Sequence, residues 1–298
     1  MRTSCRSAIL GALFLPILLT GCSLFPTTRK LPVPKAPSIT QTVAPEELVA
    51  QLSQRWTELS SLTAKVDIQL SVLKTEKGEA TDYTTIGGVI LIRKPEMLRV
   101  YGRYPVIGTR MFDMVSDGRK FTLYVPHNNK EYKGSNTVTK KSASLIENMR
   151  PGFFFDAMVV RGLDPSDEYM VTADTVTVED TARKHLYSVP EYILSVMRPK
   201  PGTQERKAVR RVYFHRDDLL PYQQDVYDGE GNLETQVTYA AYQEFDSTKY
   251  PSAMTIKRPL DEFQIVLTVE SVKENQALED NQFVINDIPE GTQIQQLE

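Results

Sequence analysis

The chain has 298 residues, 41% of them hydrophobic, and a formal net charge of −3. That mildly acidic balance argues against a nucleic-acid partner, which requires a basic face. Two cysteines are too few for a disulfide scaffold, and the length is ample for a buried core.

Arg2 and Arg6 precede an apolar run over residues 8–19, and no acidic residue stands before Cys22. A run this short is a signal-peptide core, since a spanning helix needs about 20 apolar residues. Leu19-Thr20-Gly21-Cys22 resembles the bacterial lipobox: apolar, small, small, cysteine. The resemblance implies that residues 1–21 are a lipoprotein signal peptide and that Cys22 is lipidated, with palmitate among the acyl chains. The competing reading is an ordinary secretory signal whose cleavage site holds a cysteine. Cys5 leaves with the signal and lipidation consumes the Cys22 thiol, so the mature protein is expected to hold no disulfide. Two or more acyl chains anchor stably. Ser23, where an Asp would signal retention, implies by the same resemblance the outer membrane, facing the periplasm. Removal of Arg2 and Arg6 leaves −5 on the mature chain. Residues 22–44 then read as a tether, with Pro26, Pro32, Pro34 and Pro37 among Thr, Lys and Ser. Residues 45–298 read as one domain, because no Pro/Gly/Ser-rich break divides them.

Pro45 suits a first helical turn, and Glu46 and Glu47 favour its positive end. Leu48, Leu52, Trp56 and Leu59 follow at helical spacing. After Leu62 the period changes to two: Ala64, Val66, Ile68, Leu70 and Val72 alternate with polar residues, a half-buried strand. Strands are predicted over 84–93, 97–102, 110–116 and 120–125, with Asp117-Gly118 as a hairpin turn. A second helical region is expected within 142–160, where Phe153, Phe154, Phe155 and Met158 follow Pro151-Gly152. Strands resume over 192–197, 209–215, 222–227, 233–242, 253–258 and 263–272. Short connections between them predict an antiparallel meander, and a sheet this large must curl or cover a face.

Catalytic signals are weak, and no enzyme activity or cofactor is expected. His127, His185 and His215 stand apart, without HExxH or another metal-ligand spacing. No G-x-S-x-G elbow and no P-loop occur. Asp217, Asp218, Asp225 and Asp228 fall at strand ends and turns. The basic stretch Lys200, Arg206, Lys207, Arg210 and Arg211 reads as a solvated hairpin loop, or as a contact for anionic lipid headgroups. Two apolar features are less ordinary. Tyr104-Pro105-Val106-Ile107-Gly108 is a turn with two large aliphatic side chains, either folded back on the core or exposed for contact. The phenylalanine cluster belongs either to the core or to the floor or lid of a cavity.

Several segments together resemble the LolA and LolB periplasmic lipoprotein carriers and receptors, over about 45–292. The residues from Trp56 to Ala64 resemble that family's opening helix and first strand, and those from Gly88 to Pro95 its glycine-strand-basic-proline segment. Ser116-Asp117-Gly118 with Leu123-Tyr124-Val125-Pro126 resembles its hairpin, and Phe283 to Gly291 its closing strand and turn. Pro105-Val106-Ile107-Gly108-Thr109 is similar to the receptor's protruding loop, with Ile107 in place of its exposed leucine, and Tyr250 to Ile256 resembles a strand in the receptor's second half. Lys94 stands where the soluble carrier has a gating arginine, and a lysine lacks that residue's planar fork of donors. The segment around 174–185 matches nothing in the family.

The resemblance implies a mainly β, α+β fold: a curled antiparallel incomplete barrel, with an N-terminal helix and a mid-chain helical lid over a hydrophobic cavity. It implies an outer-membrane lipoprotein that binds acyl chains of lipoproteins or lipids and aids their localisation, with room for a periplasmic carrier protein as a partner. Trp56, Phe153, Phe154, Phe155 and Met158 are the candidate cavity and lid residues, and Val106 and Ile107 the candidate membrane-transfer loop. The alternatives are an envelope lipoprotein with a structural or interaction role and no transported ligand, and an enzyme assembled from scattered residues.

Overall fold

The predicted helical stripe forms α1 (Pro45–Glu58), with Pro45 in its first turn and Leu48 and Leu52 buried. The computed structural model describes residues 40–136, 150–180, 185–200 and 202–297. Cys22, most of the tether and the 142–149 part of the second helical region lie outside them.

The alternating segment after α1 becomes β1 (Ser61–Lys74), whose buried Leu62, Ala64, Val66 and Ile68 all face one side. The first half continues through β2 (Glu79–Asp82), β3 (Ile86–Arg93), β4 (Met97–Arg103), β5 (Arg110–Ser116), β6 (Lys120–Val125) and β7 (Lys130–Ser135). The β5–β6 turn is the expected one. Gly118 has φ +89, and the Asp117 carboxylate accepts the backbone N–H groups of Arg119 and Lys120 at 2.9 and 2.7 Å. Those bonds hold the Asp117 carboxyl below its ordinary range.

A second helix, α2 (Gly152–Met158), precedes β8 (Glu168–Asp180), β9 (His185–Pro199), β10 (Arg206–His215), β11 (Pro221–Tyr227) and β12 (Leu233–Tyr239). A small separate sheet of β13 (Tyr242–Phe245) and β14 (Thr248–Pro251) interrupts the meander. The chain then returns as β15 (Ala253–Arg258) and β16 (Phe263–Glu274), and ends in β17 (Gln293–Leu297). All but β13 and β14 lie in one sheet, whose path runs β17-β7-β6-β5-β4-β3-β1-β16-β15-β12-β11-β10-β9-β8, with β2 paired to β1. The seam is β1, which pairs antiparallel with both β3 and β16. The two ends of the path do not pair, so the curled sheet stays open.

Three sequence expectations change. The strand predicted over 233–242 divides, because after Tyr239 the chain turns into the β13–β14 hairpin, bracketed by Ala240 N–H to Ala253 O and Ser252 N–H to Ala241 O. The closing strand is not at Phe283. That residue is buried on the outer face under the Arg93 guanidinium, 5.0 Å from its ring. Only after Gly291, at φ +83, does the chain reach the free edge of β7, which β17 joins in parallel. Finally, β7 and β8 were not foreseen: β7 buries a single aromatic, Tyr132, and β8 is largely exposed on both faces, so neither shows an apolar period.

The concave face carries the main core. Phe153, Phe154 and Phe155 of α2 are buried there among side chains of β1, β3, β4, β15 and β16. Gly102 belongs to this fit. A Cβ on it would lie 2.6 Å from Ile86 Cδ1 and 2.7 Å from Phe112 Cε1, so its absence lets both side chains meet over β4. A second apolar cluster forms where Leu48 and Leu52 of α1 pack on Tyr192, Leu194 and Val196 of β9 and Val212 and Phe214 of β10.

Candidate functional site

Between α1 and the main core lies a partly open, mainly apolar cleft of about 360 Å³. Its lining brings together Leu48, Leu52 and Trp56 of α1, Met158 at the end of α2, and Leu219 and Leu220 of the β10–β11 turn. Tyr242 and Tyr250 of the small sheet complete it. The Tyr242 hydroxyl donates to Pro221 O at 2.9 Å, and the Tyr250 hydroxyl donates to Met158 O, which ties the hairpin to α2. Burial pushes both phenols above their ordinary range. Arg55, Glu58, Lys249 and Glu274, all exposed, supply the charged part of the lining. Desolvation raises the Glu274 carboxyl. The volume lies within the roughly 300–1,000 Å³ of ordinary ligand pockets, and a mainly apolar lining suits an acyl chain.

Of the candidate cavity residues, the structure brings Trp56 and Met158 to this lining. Phe153, Phe154 and Phe155 lie in the core behind it and are not among the lining residues. Thus α2 fills the concave face, and the open space lies beyond its last residue. Leu219, Leu220, Tyr242 and Tyr250 were not singled out in the sequence, because turn and hairpin side chains carry no periodic signal.

Lys94 does contact the helix that bounds the cleft. Its ammonium donates to the carbonyl oxygen of Trp56 and, at 3.4 Å, to that of Thr57, and it sits 4.4 Å from the centroid of the Trp56 ring. The last carbonyls of a helix have no partner within it, and a cation there also meets the negative end of the helix dipole. Burial lowers the Lys94 pKa. Arg161 approaches the same ring at 5.9 Å and that of Phe155 at 4.4 Å, and its guanidinium is bound to Asp156 at 2.6 Å. The end of α1 is therefore fastened by two cations, through carbonyls and π-faces.

The second feature is the turn between β4 and β5. Val106 and Ile107 stand out from it, with relative exposures of 104% and 71%. The fold-back alternative raised by the sequence is not the one adopted. Backbone bonds from Ile107 N–H to Pro105 O at 2.8 Å, Gly108 N–H to Tyr104 O at 3.1 Å and Tyr104 N–H to Thr109 O at 2.9 Å set the turn. Val106 has φ +69, a region that a β-branched residue enters only under strain. The bond across it, from residue 107 to 105, together with this φ describes the rare, strained γ-turn. Val106→Gly is expected to stabilise the protein by about 1 kcal/mol, because glycine adopts this φ freely and no burial is lost. Urea unfolding checks this; an unchanged or lower midpoint refutes the strain.

The basic stretch divides. Arg210 is buried, and its guanidinium donates to the carbonyl oxygens of Arg161 and Gly162, both at 2.7 Å. Lys200 pairs with Glu205 and Arg206 with Glu168. It is therefore not one solvated basic patch. Among the described residues, no group of His, Cys, Asp and Glu is placed to hold a metal, and no helix is long and apolar enough to cross a membrane.

No family model and no curated protein matches the sequence. Solved structures do match the fold. A LolA superfamily protein from Nitrosomonas europaea superposes with a TM-score of 0.50 at 11% identity, over 82% of this chain and 99% of that one. The fold is LolA-like. A DUF1329 family protein from Desulfovibrio piger superposes with a TM-score of 0.51 at 15% identity, over 80% of this chain and 95% of that one. Identities this low establish the architecture alone. Within the LolA-like sheet, the long β8–β9 hairpin corresponds to the segment for which the sequence showed no family counterpart.

Proposed function

We infer that this is a lipid-anchored, extracytoplasmic binding protein rather than an enzyme. It takes acyl chains of lipoproteins or lipids into the cleft and aids their delivery to the outer membrane. The observation that carries this reading is the apolar cleft beside α1. The exposed Val106–Ile107 turn supports it, since a strained apolar tip gains by entering a lipid surface. In this reading Cys22 bears the acyl anchor, the tether spans the gap, and a periplasmic carrier is a partner.

The test is native mass spectrometry on the full chain purified from a bacterial envelope, followed by lipid extraction. Phospholipid or acylated peptide should co-purify, and Gln51→Trp, which fills the cleft from a half-buried lining position, should abolish it. One observation favours a second reading, a structural or interaction lipoprotein: Phe153, Phe154 and Phe155 already fill the concave face. A mass that stays ligand-free when acyl probes are added would establish that reading instead.

Ile107→Glu tests the loop. A carboxylate carried into the bilayer costs on the order of 2 kcal/mol, so delivery to liposomes should fall about tenfold or more. The urea midpoint should stay put, because the side chain is exposed. Unaltered delivery would remove the loop from the mechanism.

A further inference from the structure

We propose that β8 is an open docking edge for an extended basic segment of another protein, which joins the sheet as an added strand. This inference does not depend on the cleft. The two ends of the sheet are treated differently. At one end the outermost strand is β17, only five residues long, paired on β7 from Gln293↔Lys130 to Leu297↔Gly134. At the other end β8 is outermost over 13 residues, about 44 Å at 3.4 Å per residue. Among the described residues, no backbone hydrogen bond joins β8 to any strand but β9.

Soluble proteins blunt a long edge with lysine, proline or a bulge. The β8 sequence Glu168-Tyr-Met-Val-Thr-Ala-Asp-Thr-Val-Thr-Val-Glu-Asp180 has no lysine and no proline, and its pairing with β9 runs from Glu168↔Met197 to Asp180↔His185 without a register shift. Val171, Thr172, Thr175, Val176, Thr177 and Val178 favour extended backbone. Tyr169, Met170 and Val178 are exposed and offer apolar contacts to an incoming strand.

Charge selects the occupant. Every charged residue of β8 is acidic: Glu168, Asp174, Glu179 and Asp180. Glu168 is engaged with Arg206 of β10 at 2.7 Å, while Asp174 is exposed at the strand centre. Two copies paired antiparallel about that centre would set Asp174 against Asp174 and Glu168 against Asp180, and like charges directly opposite are destabilising. A strand bearing lysine or arginine meets no such penalty. Its backbone would supply affinity, and its alternate side chains register.

The test uses the full chain in detergent and fluorescent peptides of roughly nine residues that alternate valine or threonine with lysine. Controls are the same peptide with glutamate for lysine, and the lysine peptide with every backbone nitrogen methylated. The unmodified lysine peptide should bind about tenfold more tightly than the glutamate one, weaken as salt rises, and slow amide exchange in 168–180. Asp174→Lys should reduce that affinity about fivefold or more. The inference is overturned if no lysine peptide binds, if the methylated peptide binds as tightly, or if protection falls outside β8. A dimer of the free chain that competes with the peptide would overturn it in favour of a second copy.

Discussion

Phe154→Ala is expected to destabilise the protein by about 3–5 kcal/mol, the range for removing a fully buried aromatic ring. Phe154 is 2% exposed, and its ring stacks on that of Phe153 with centroids 4.4 Å apart. Phe153 in turn lies 5.7 Å from the ring of Phe263 on β16, so truncating Phe154 removes one ring of a stack that continues to the sheet. The magnitude discriminates between two roles for α2. A helix that roofs an empty cavity and opens readily would leave Phe154 partly free, and its truncation would cost about 1 kcal/mol or less. A helix that fills the concave face must lose the full amount, as the packing here requires. Urea unfolding of the wild type and Phe154→Ala measures it. Phe154→Leu should recover most of the loss, because it leaves a smaller void.

Asp113→Ala is expected to cost about 3 kcal/mol and to loosen the C-terminal segment. Asp113 has 0% exposure although it faces away from the concave core, because the chain after β16 crosses over it. Its carboxylate receives Arg99 Nε at 3.0 Å and Nη2 at 2.7 Å, with Arg110 Nη1 at 3.6 Å. The two arginines also hold the crossing segment: Arg99 Nη1 donates to Gln282 O at 2.9 Å, and Arg110 Nη1 to Asp287 at 2.7 Å. The bond to Asp287 is the largest influence raising the Arg110 pKa, and it holds the Asp287 carboxyl low. Removing the central carboxylate leaves two guanidinium groups near each other with their common partner gone, and breaking a buried pair costs about 3–5 kcal/mol. Both arginines retain some solvent contact, which places the loss toward the lower end. Limited proteolysis should show faster cleavage within 276–292, and unfolding a lower midpoint. Unchanged proteolysis with a loss below about 1 kcal/mol would mean that the crossing is held by Phe283 and β17 instead.

The crossing segment also marks a boundary of what could be read in advance. The motif from Phe283 to Gly291 suggested a closing strand, yet those residues form the strap and the strand comes after it. No local pattern signals that Asp280 will meet Arg93, or Asp287 Arg110, across more than 170 positions of sequence. Such pairings exist only once the β3–β4–β5 meander presents its outer arginines.

Local periodicity, by contrast, was a sound guide wherever one face of an element is buried. The strands at 110–116, 120–125 and 253–258 fall where their alternation placed them, and α1 begins at Pro45 and buries Leu48 and Leu52. Burial selects one residue in two along a strand and a stripe along a helix, so the pattern survives in the sequence. β7 and β8 bury too little to leave one.

What the sequence determined by itself was therefore most of the half-buried strands, the first helix, the tight Asp117-Gly118 turn and the apolar tip at Val106 and Ile107. Only the tertiary structure decided that the three phenylalanines plug the concave face, that Lys94 fastens α1 through its final carbonyls, and that the open cleft lies beyond Met158. It also decided that, among the described residues, the sheet ends on the five-residue β17 at one side and on the 13-residue β8 at the other. The physical reason is that alternation tells which face of an element is apolar, but not what packs on that face. A cleft is the place where packing stops, set by α1, the β10–β11 turn and the β13–β14 hairpin meeting from distant parts of the chain.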